Sequence, residues 1–386
     1  MNGKIRLIEL FSGAGGFSAL LEGAFRPVLA LDNDPRAHQV YSRNRPEVKF
    51  VPEDITGIRD FSNLCGESPD IALAGPPCQG FSFVGMKTKK ALSFQKKYDP
   101  ATDPRNYLPL EISRVAVQLK PKLIIIENVP AMKTHIVSHN GDYIRITGVL
   151  REQLEDAGYI VSEPFNLNSY ELGISQRRER TFIVASLDYE LNAHEFDRIH
   201  QQVIKRETRK NLEQIISDLK THPVSTARQK ILTSVPDHIS RTPNSDDLKI
   251  IRNLKQGENY ASLIERMPEV LEGRNHKIYK TLSFKDKFYR LRWDEPSRTI
   301  VAHLQKDGNS YIHPSLNRSV SVREAARIQS FPDSFTFGIP MSPAYRLVGN
   351  AVPPLMGKFL VEVFSRITGL LNERTANTLQ FAGLVS

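Results

Sequence analysis

Short apolar runs alternate with helical segments through the first half of the chain, and this order restricts the fold more than any other feature. Ile5–Leu10 is an apolar run carrying Arg6, and it ends at Phe11-Ser12-Gly13-Ala14-Gly15-Gly16. A helical pattern over residues 17–25 follows. Residues 28–31 form a second run, closed by Asp32-Asn33-Asp34, and a helix is expected from there through Tyr41. The strand signal recurs at Ile71–Ala74, 123–126 and 181–185, with helical spacing over 108–119 and 144–157. Continuous apolar runs of this length suit strands buried on both faces, so the alternation predicts a mostly parallel sheet covered by helices. Sites in such sheets form at the carboxyl ends of strands.

The rhythm stops after Asp188. Residues 189–280 read as long polar helical stretches, with loops at Thr221-His222-Pro223 and Arg241-Thr242-Pro243-Asn244-Ser245. Short strands are expected over 297–312. A helix is expected over 321–329, where Ser321 and Glu324 have capping-box spacing, and a terminal helix over 355–371. The expected fold is α/β, with residues 1–187 as a first domain, 188–335 as a smaller second one and 336–386 returning to the first.

Two cysteines among 386 residues exclude a disulfide scaffold and suit a reducing compartment. A net charge of +9 favours a polyanionic partner. No apolar run is long enough to span a membrane, and no His/Cys cluster has metal-ligand spacing.

The chemistry-bearing residues fall at the expected strand ends. Gly75-Pro76-Pro77-Cys78-Gln79-Gly80-Phe81-Ser82 follows a strand signal and holds a cysteine on a stiff turn, as a nucleophile requires. The glycine loop lets a ligand approach backbone amides, and Asp32 is placed for ribose hydroxyls. Ser18 occupies the last glycine position of G-x-G-x-x-G, which disfavours a dinucleotide. Glu127-Asn128-Val129 could supply an acid, and the arginines of Gln176-Arg177-Arg178-Glu179-Arg180 could clamp a phosphate or a base edge. Lys87, Lys89, Lys90, Lys96 and Lys97 make the segment after Cys78 cationic, which suits DNA phosphates or solvent alike. His303 and His313 read as structural.

These motifs occur in one order with Arg323-Glu324-Ala325-Ala326-Arg327-Ile328-Gln329-Ser330-Phe331-Pro332-Asp333 and Gly349-Asn350-Ala351-Val352-Pro353-Pro354. The set closely resembles the DNA cytosine-5 methyltransferase family, bacterial restriction-modification type, over nearly the whole chain. The resemblance implies an S-adenosylmethionine-dependent, Rossmann-like fold with a target-recognition domain in the variable stretch after Asp188. It implies Cys78 as nucleophile on carbon 6 of a flipped cytosine, Glu127 bonding ring nitrogen 3, Asn128 positioning that glutamate, and Arg178 and Arg180 holding the base. It implies an S-adenosylmethionine site, giving S-adenosylhomocysteine, built from Phe11, Gly13, Ala14, Gly15, Gly16, Asp32, Asn33, Asp54, Ile55, Pro76, Leu108, Asn350 and Val352. Gln79, Ser82, Lys87, Lys89, Lys90 and Arg180 would face double-stranded DNA. Many relatives carry Glu at the place of Asp32, and some an aromatic at Asn33. The resemblance further implies a cytoplasmic, metal-free monomer from a bacterium, archaeon or phage. An RNA methyltransferase, a non-catalytic DNA-binding relative and a nucleotide-dependent oxidoreductase remain as rival readings.

Overall fold

The structure is a computed structural model, and it describes residues 4–77, 103–189, 201, 209–226, 229–231, 233–271 and 287–371. The chain forms two compact units. The first contains the residues up to Leu172, a piece beginning at Glu179 and a piece beginning at Val352; the second contains Gly173–Arg178 and Arg209–Ala351. The second unit therefore continues beyond the boundary at 335 expected from sequence.

An eight-stranded sheet forms the centre of the first unit. Its strands are β1 (Ile5–Leu10), β2 (Phe25–Leu31), β3 (Lys49–Val51), β4 (Ile71–Ala74), β5 (Leu123–Asn128), β8 (Ile160–Val161), β9 (Phe165–Asn168) and β11 (Glu179–Ser186). The order is β3-β2-β1-β4-β5-β11-β8, with β9 also on β11. The five strands from β3 to β5 are parallel, and β11 runs antiparallel to β5. All residues of β4 and β5 are buried, as the apolar runs require of strands covered on both faces. A hairpin, β6 (Ile136–His139) with β7 (Asp142–Arg145), stands off the sheet.

Helices cover the sheet. Asp34 caps α1 (Pro35–Asn44) by accepting from the Arg36 amide, and Pro35 opens the helix. After α2 (Phe61–Cys65), α3 (Glu111–Leu119) and α4 (Ile146–Asp156) bury apolar faces in the main core. The terminal helix, expected over 355–371, spans Pro354–Ile367 (α10) and packs on β5.

Several local expectations change. Residues 17–25 are not a helix: residues 13–20 lie in turns, Gly23 has φ +67°, and Phe25 already belongs to β2. The helix expected over 108–119 splits into a 3-10 turn, Pro104–Leu110, and α3, and the one over 144–157 begins only after β7.

In the second unit the described helices are short. They are α5 (Leu212–Ile216), α6 (Ser245–Asn253), α7 (Tyr260–Arg266), α8 (Val322–Ile328) and α9 (Met341–Asn350). The capping box at Ser321 and Glu324 is present in both directions. β10 (Gln176–Arg177) pairs in parallel with β14 (Ser297–Arg298), and β12 (Ser225–Thr226) with β13 (Ile239–Ser240). By length and composition Met341–Ile367 could cross a membrane, yet it breaks between α9 and α10, and 78% of its most apolar window is buried, as in core helices.

Candidate active site

The parallel strands bring Phe11, Asp32, Gly75 and Glu127 to the carboxyl edge of the sheet in the first unit. Phe11 leaves β1 with φ +55°, and Gly13 and Gly15 also take left-handed conformations. The Gly15 amide donates to the Ser12 carbonyl at 2.8 Å, and the Ser12 amide donates to Leu31 O at 3.0 Å. The loop is thus a chain of turns whose Ser12, Gly13 and Gly15 amides are held by local oxygen acceptors rather than by a helix. Asp32, just past β2, accepts from the Gly13 amide at 2.9 Å with one carboxylate oxygen and from the Asp34 amide at 2.9 Å with the other. Where a Cβ on Gly13 would stand there is open space. A half-buried carboxylate beside a glycine turn with room above it fits a nucleoside carrying ribose hydroxyls.

Beyond β3, Asp54 caps the 3-10 turn Ile55–Gly57. It accepts from the Thr56 amide at 3.0 Å and the Thr56 hydroxyl at 2.7 Å, and these bonds hold its carboxyl below the usual range. Asn33 reaches Asp54 at 3.5 Å, while Ile55 is buried in the main core. Pro76 is buried, and Leu108 packs against that core.

The acid lies at the end of β5. Glu127 is 7% exposed, and its Oε1 accepts from Arg180 Nε at 2.8 Å. Asn128 donates through Nδ2 to Pro76 O at 3.2 Å and accepts from the Val129 amide at 2.8 Å. Asn128 therefore ties the turn carrying Gly75 and Pro76 to the strand carrying Glu127. A Cβ on Gly75 would stand 3.8 Å from Glu127 Oε2 and 4.0 Å from both Phe11 O and Val352 Cγ2. The glycine loop, the acid, the Gly75 turn and Val352 thus share one point in space.

Arg178 has a structural setting different from that of Arg180. It is 1% exposed and sits in the second unit. Its guanidinium donates to Ile300 O at 2.7 Å, Gly349 O at 3.2 Å and Ala351 O at 3.0 Å. A guanidinium bonded to three backbone carbonyls braces the chain around them. Arg178 lies at the break between β10 and β11, so it does not share the environment of Arg180. Gln176 is also structural, accepting from the Ile300 amide at 2.6 Å and donating to Gln329 at 2.7 Å. Asn350 ends α9 and is exposed.

Cys78, Gln79, Ser82, Lys87, Lys89 and Lys90 lie outside the described residues. Among the described residues, no group of His, Cys, Asp and Glu could hold a metal ion.

Sequence reading missed one set of residues. Glu9 in β1 is 1% exposed and accepts from the Tyr41 hydroxyl at 2.7 Å and from the Ser18 hydroxyl. An acid inside an apolar strand run was the available signal.

A family model described as C-5 cytosine-specific DNA methylase matches residues 5–366. The type II methyltransferase M.DdeI of Desulfomicrobium norvegicum is 30% identical, over 94% of this chain and 88% of its own length. The type II methyltransferase M.Eco47II of Escherichia coli is also 30% identical, over 95% of this chain and 81% of its own. The solved structure of the Entamoeba histolytica methyltransferase EhMeth superposes with a TM-score of 0.61 at 18% identity, covering 96% of this chain and 99% of that one, which speaks to the fold.

Proposed function

The chain belongs to the C-5 cytosine-specific DNA methylases, and on that premise we propose that it methylates cytosine in duplex DNA through a covalent cysteine adduct, with S-adenosylmethionine as methyl donor. The observation that carries the reading is the shared point at Gly75, about which Glu127, the Phe11 carbonyl and Val352 converge.

Phe11, Gly13–Gly16, Asp32, Asn33, Asp54, Ile55 and Val352 would hold the donor, with Pro76, Leu108 and Asn350 as further candidates. When bound, S-adenosylmethionine supplies an electrophilic methyl group. The chain's own residues make the cytosine nucleophilic. Cys78, as thiolate, adds to carbon 6 and pushes the ring electrons toward carbon 5 and nitrogen 3. Glu127 bonds nitrogen 3 and offsets the charge that develops there. Arg180 holds Glu127 in place, and Asn128 fixes it relative to the Gly75 turn. After methylation a water molecule takes the carbon-5 proton as base, the released electron pair re-forms the carbon 5–carbon 6 double bond, and the sulfur–carbon bond breaks to return Cys78 as thiolate. Carbon 6 is inaccessible inside a duplex, so the target base must leave the stack. Gln79, Ser82, Lys87, Lys89, Lys90 and Arg180 are the proposed DNA contacts. The names of the relatives, type II methyltransferases of bacteria, support a type II modification role; a bacterial, archaeal or phage setting and a cytoplasmic location are part of the same proposal.

The test uses duplex DNA containing 5-fluorocytosine, from which the carbon-5 substituent cannot leave. The protein with S-adenosylmethionine should form a denaturant-resistant adduct, and Cys78→Ser should form none. Adduct formation by Cys78→Ser, or none by the unsubstituted protein while it binds DNA, overturns the mechanism.

A further inference from the structure

A loop built from consecutive turns with three left-handed residues has little rigidity of its own, because glycine leaves many backbone states open. Asp32 restrains it at Gly13. A different restraint lies beneath Gly15. A Cβ on Gly15 would meet Tyr41 Cδ2 and Cε2 at 2.8 Å, so the loop backbone rests against the Tyr41 ring and only glycine fits. The ring is itself pinned. Tyr41 is 1% exposed, and its hydroxyl donates to Glu9 Oε1 at 2.7 Å. The same oxygen accepts from Ser18 at the far end of the loop, whose carbonyl accepts from Arg45 at 2.6 Å. Burial pushes the Glu9 carboxyl up, against the pull of both hydroxyls and of Arg45. A buried carboxyl at this point of β1 is costly for a strand that could carry leucine. Its partners join three elements: the strand before the loop, the end of the loop and the helix beneath it. Ser18, which departs from the dinucleotide fingerprint, thereby has a role that a third glycine cannot perform.

We propose that Glu9, Ser18 and Tyr41 form a buried positioning set that holds the glycine loop in the shape that binds S-adenosylmethionine. The proposal rests on the reading of this loop as the donor site. None of the three touches the donor; they act through the Gly15 backbone and the turn at Ser18.

Calorimetric titration of S-adenosylmethionine, with thermal melts and KM for DNA measured alongside, tests it. Tyr41→Phe keeps the ring and removes one bond, and should weaken donor binding about 5- to 10-fold with KM for DNA unchanged. Tyr41→Phe combined with Ser18→Ala should weaken it further. Glu9→Gln offers a carbonyl to both hydroxyls and should bind the donor within about twofold of the unsubstituted protein, whereas Glu9→Leu should not. Asp70→Asn serves as a control, because Asp70 braces Arg6 at the opposite end of β1, at 3.0 Å. The proposal falls if Asp70→Asn weakens donor binding as much as Tyr41→Phe at equal loss of melting temperature. It also falls if Tyr41→Phe and the double variant bind normally. Failure of the unsubstituted protein to bind S-adenosylmethionine would instead remove the donor-site reading, and the proposal with it.

Discussion

Glu127 and Arg180 meet diagonally across two antiparallel strands. Glu127 stands opposite Phe182 in the β5–β11 register, and Arg180 lies two residues from Phe182, on the same face. The two side chains are 10% and 12% exposed and 2.8 Å apart. Removing the arginine leaves a carboxylate in a mostly dry place. Arg180→Ala should lower turnover on the order of 100-fold and destabilise the protein by about 3 kcal/mol. Arg180→Lys should fall between the two, because an ammonium lacks the planar fork. Single-turnover methylation and urea denaturation give the two numbers, and normal turnover by Arg180→Ala would contradict the assignment.

Gly75 separates activity from folding. A methyl group there makes only ordinary contacts, at 3.8–4.0 Å, so Gly75→Ala should melt within about 2 °C of the unsubstituted protein. The same methyl group occupies the space beside Glu127 Oε2, and kcat/KM should fall about 10-fold or more. Gly349→Ala is the opposite case, since its Cβ would overlap the Val301 and Ala302 backbone. That variant should lose stability first.

For Arg178 the bonds to Ile300, Gly349 and Ala351 predict a structural defect. Arg178→Lys offers three donors from one point and cannot reproduce the fork that spans these carbonyls. A loss of about 3 kcal/mol is expected in denaturant. Undiminished stability with a selective loss of base binding would instead favour the direct role expected from sequence.

The second unit should weaken in mild acid. His313 is fully buried, with Nδ1 accepting from the Ser315 and Leu316 amides at 3.2 and 3.1 Å. Glu324, Arg318, Arg290 and His238 surround it, and burial pushes its imidazole down to about 4. The unfolded chain takes up that proton near pH 6.5, whereas the folded chain does not. Stability is therefore complete above about pH 6.5 and is lost as the pH falls toward 4, by up to about 3 kcal/mol. His238 is shifted in the same direction, again by burial first. Glu324, held low against burial by Arg318, adds to the loss once the pH falls below the ordinary carboxylate range. Denaturation at pH 7.5 and 5.0 should show this gap, and His313→Asn should narrow it.

What the sequence revealed divides along physical lines. Strands such as Ile71–Ala74 were legible because burial on both faces demands continuous apolar residues. The box at Ser321 and Glu324 was legible because capping is local. The helix misread over residues 17–25 had its cause in burial: Phe17, Leu20, Leu21 and Phe25 carry helical spacing and are buried, but positive-φ glycines bend the backbone into turns. Burial can imitate a period without a helix. Arg178 and Arg180 look equivalent in the sequence, and only the strand break between them assigns one to backbone carbonyls and the other to Glu127. Tyr41 could not be linked to Gly15 without the close approach of a ring and a backbone, which no spacing records.

Gly357 of α10 packs directly on the backbone of Phe17, with the Phe17 carbonyl carbon 2.9 Å from where a Cβ would stand. Roughly 340 residues are translated between the two, so at typical synthesis rates the glycine-loop side of the first unit waits about 17–70 s for its cover. A nascent chain should expose this surface to chaperones throughout that interval, and a premature stop before Pro354 should leave it exposed permanently.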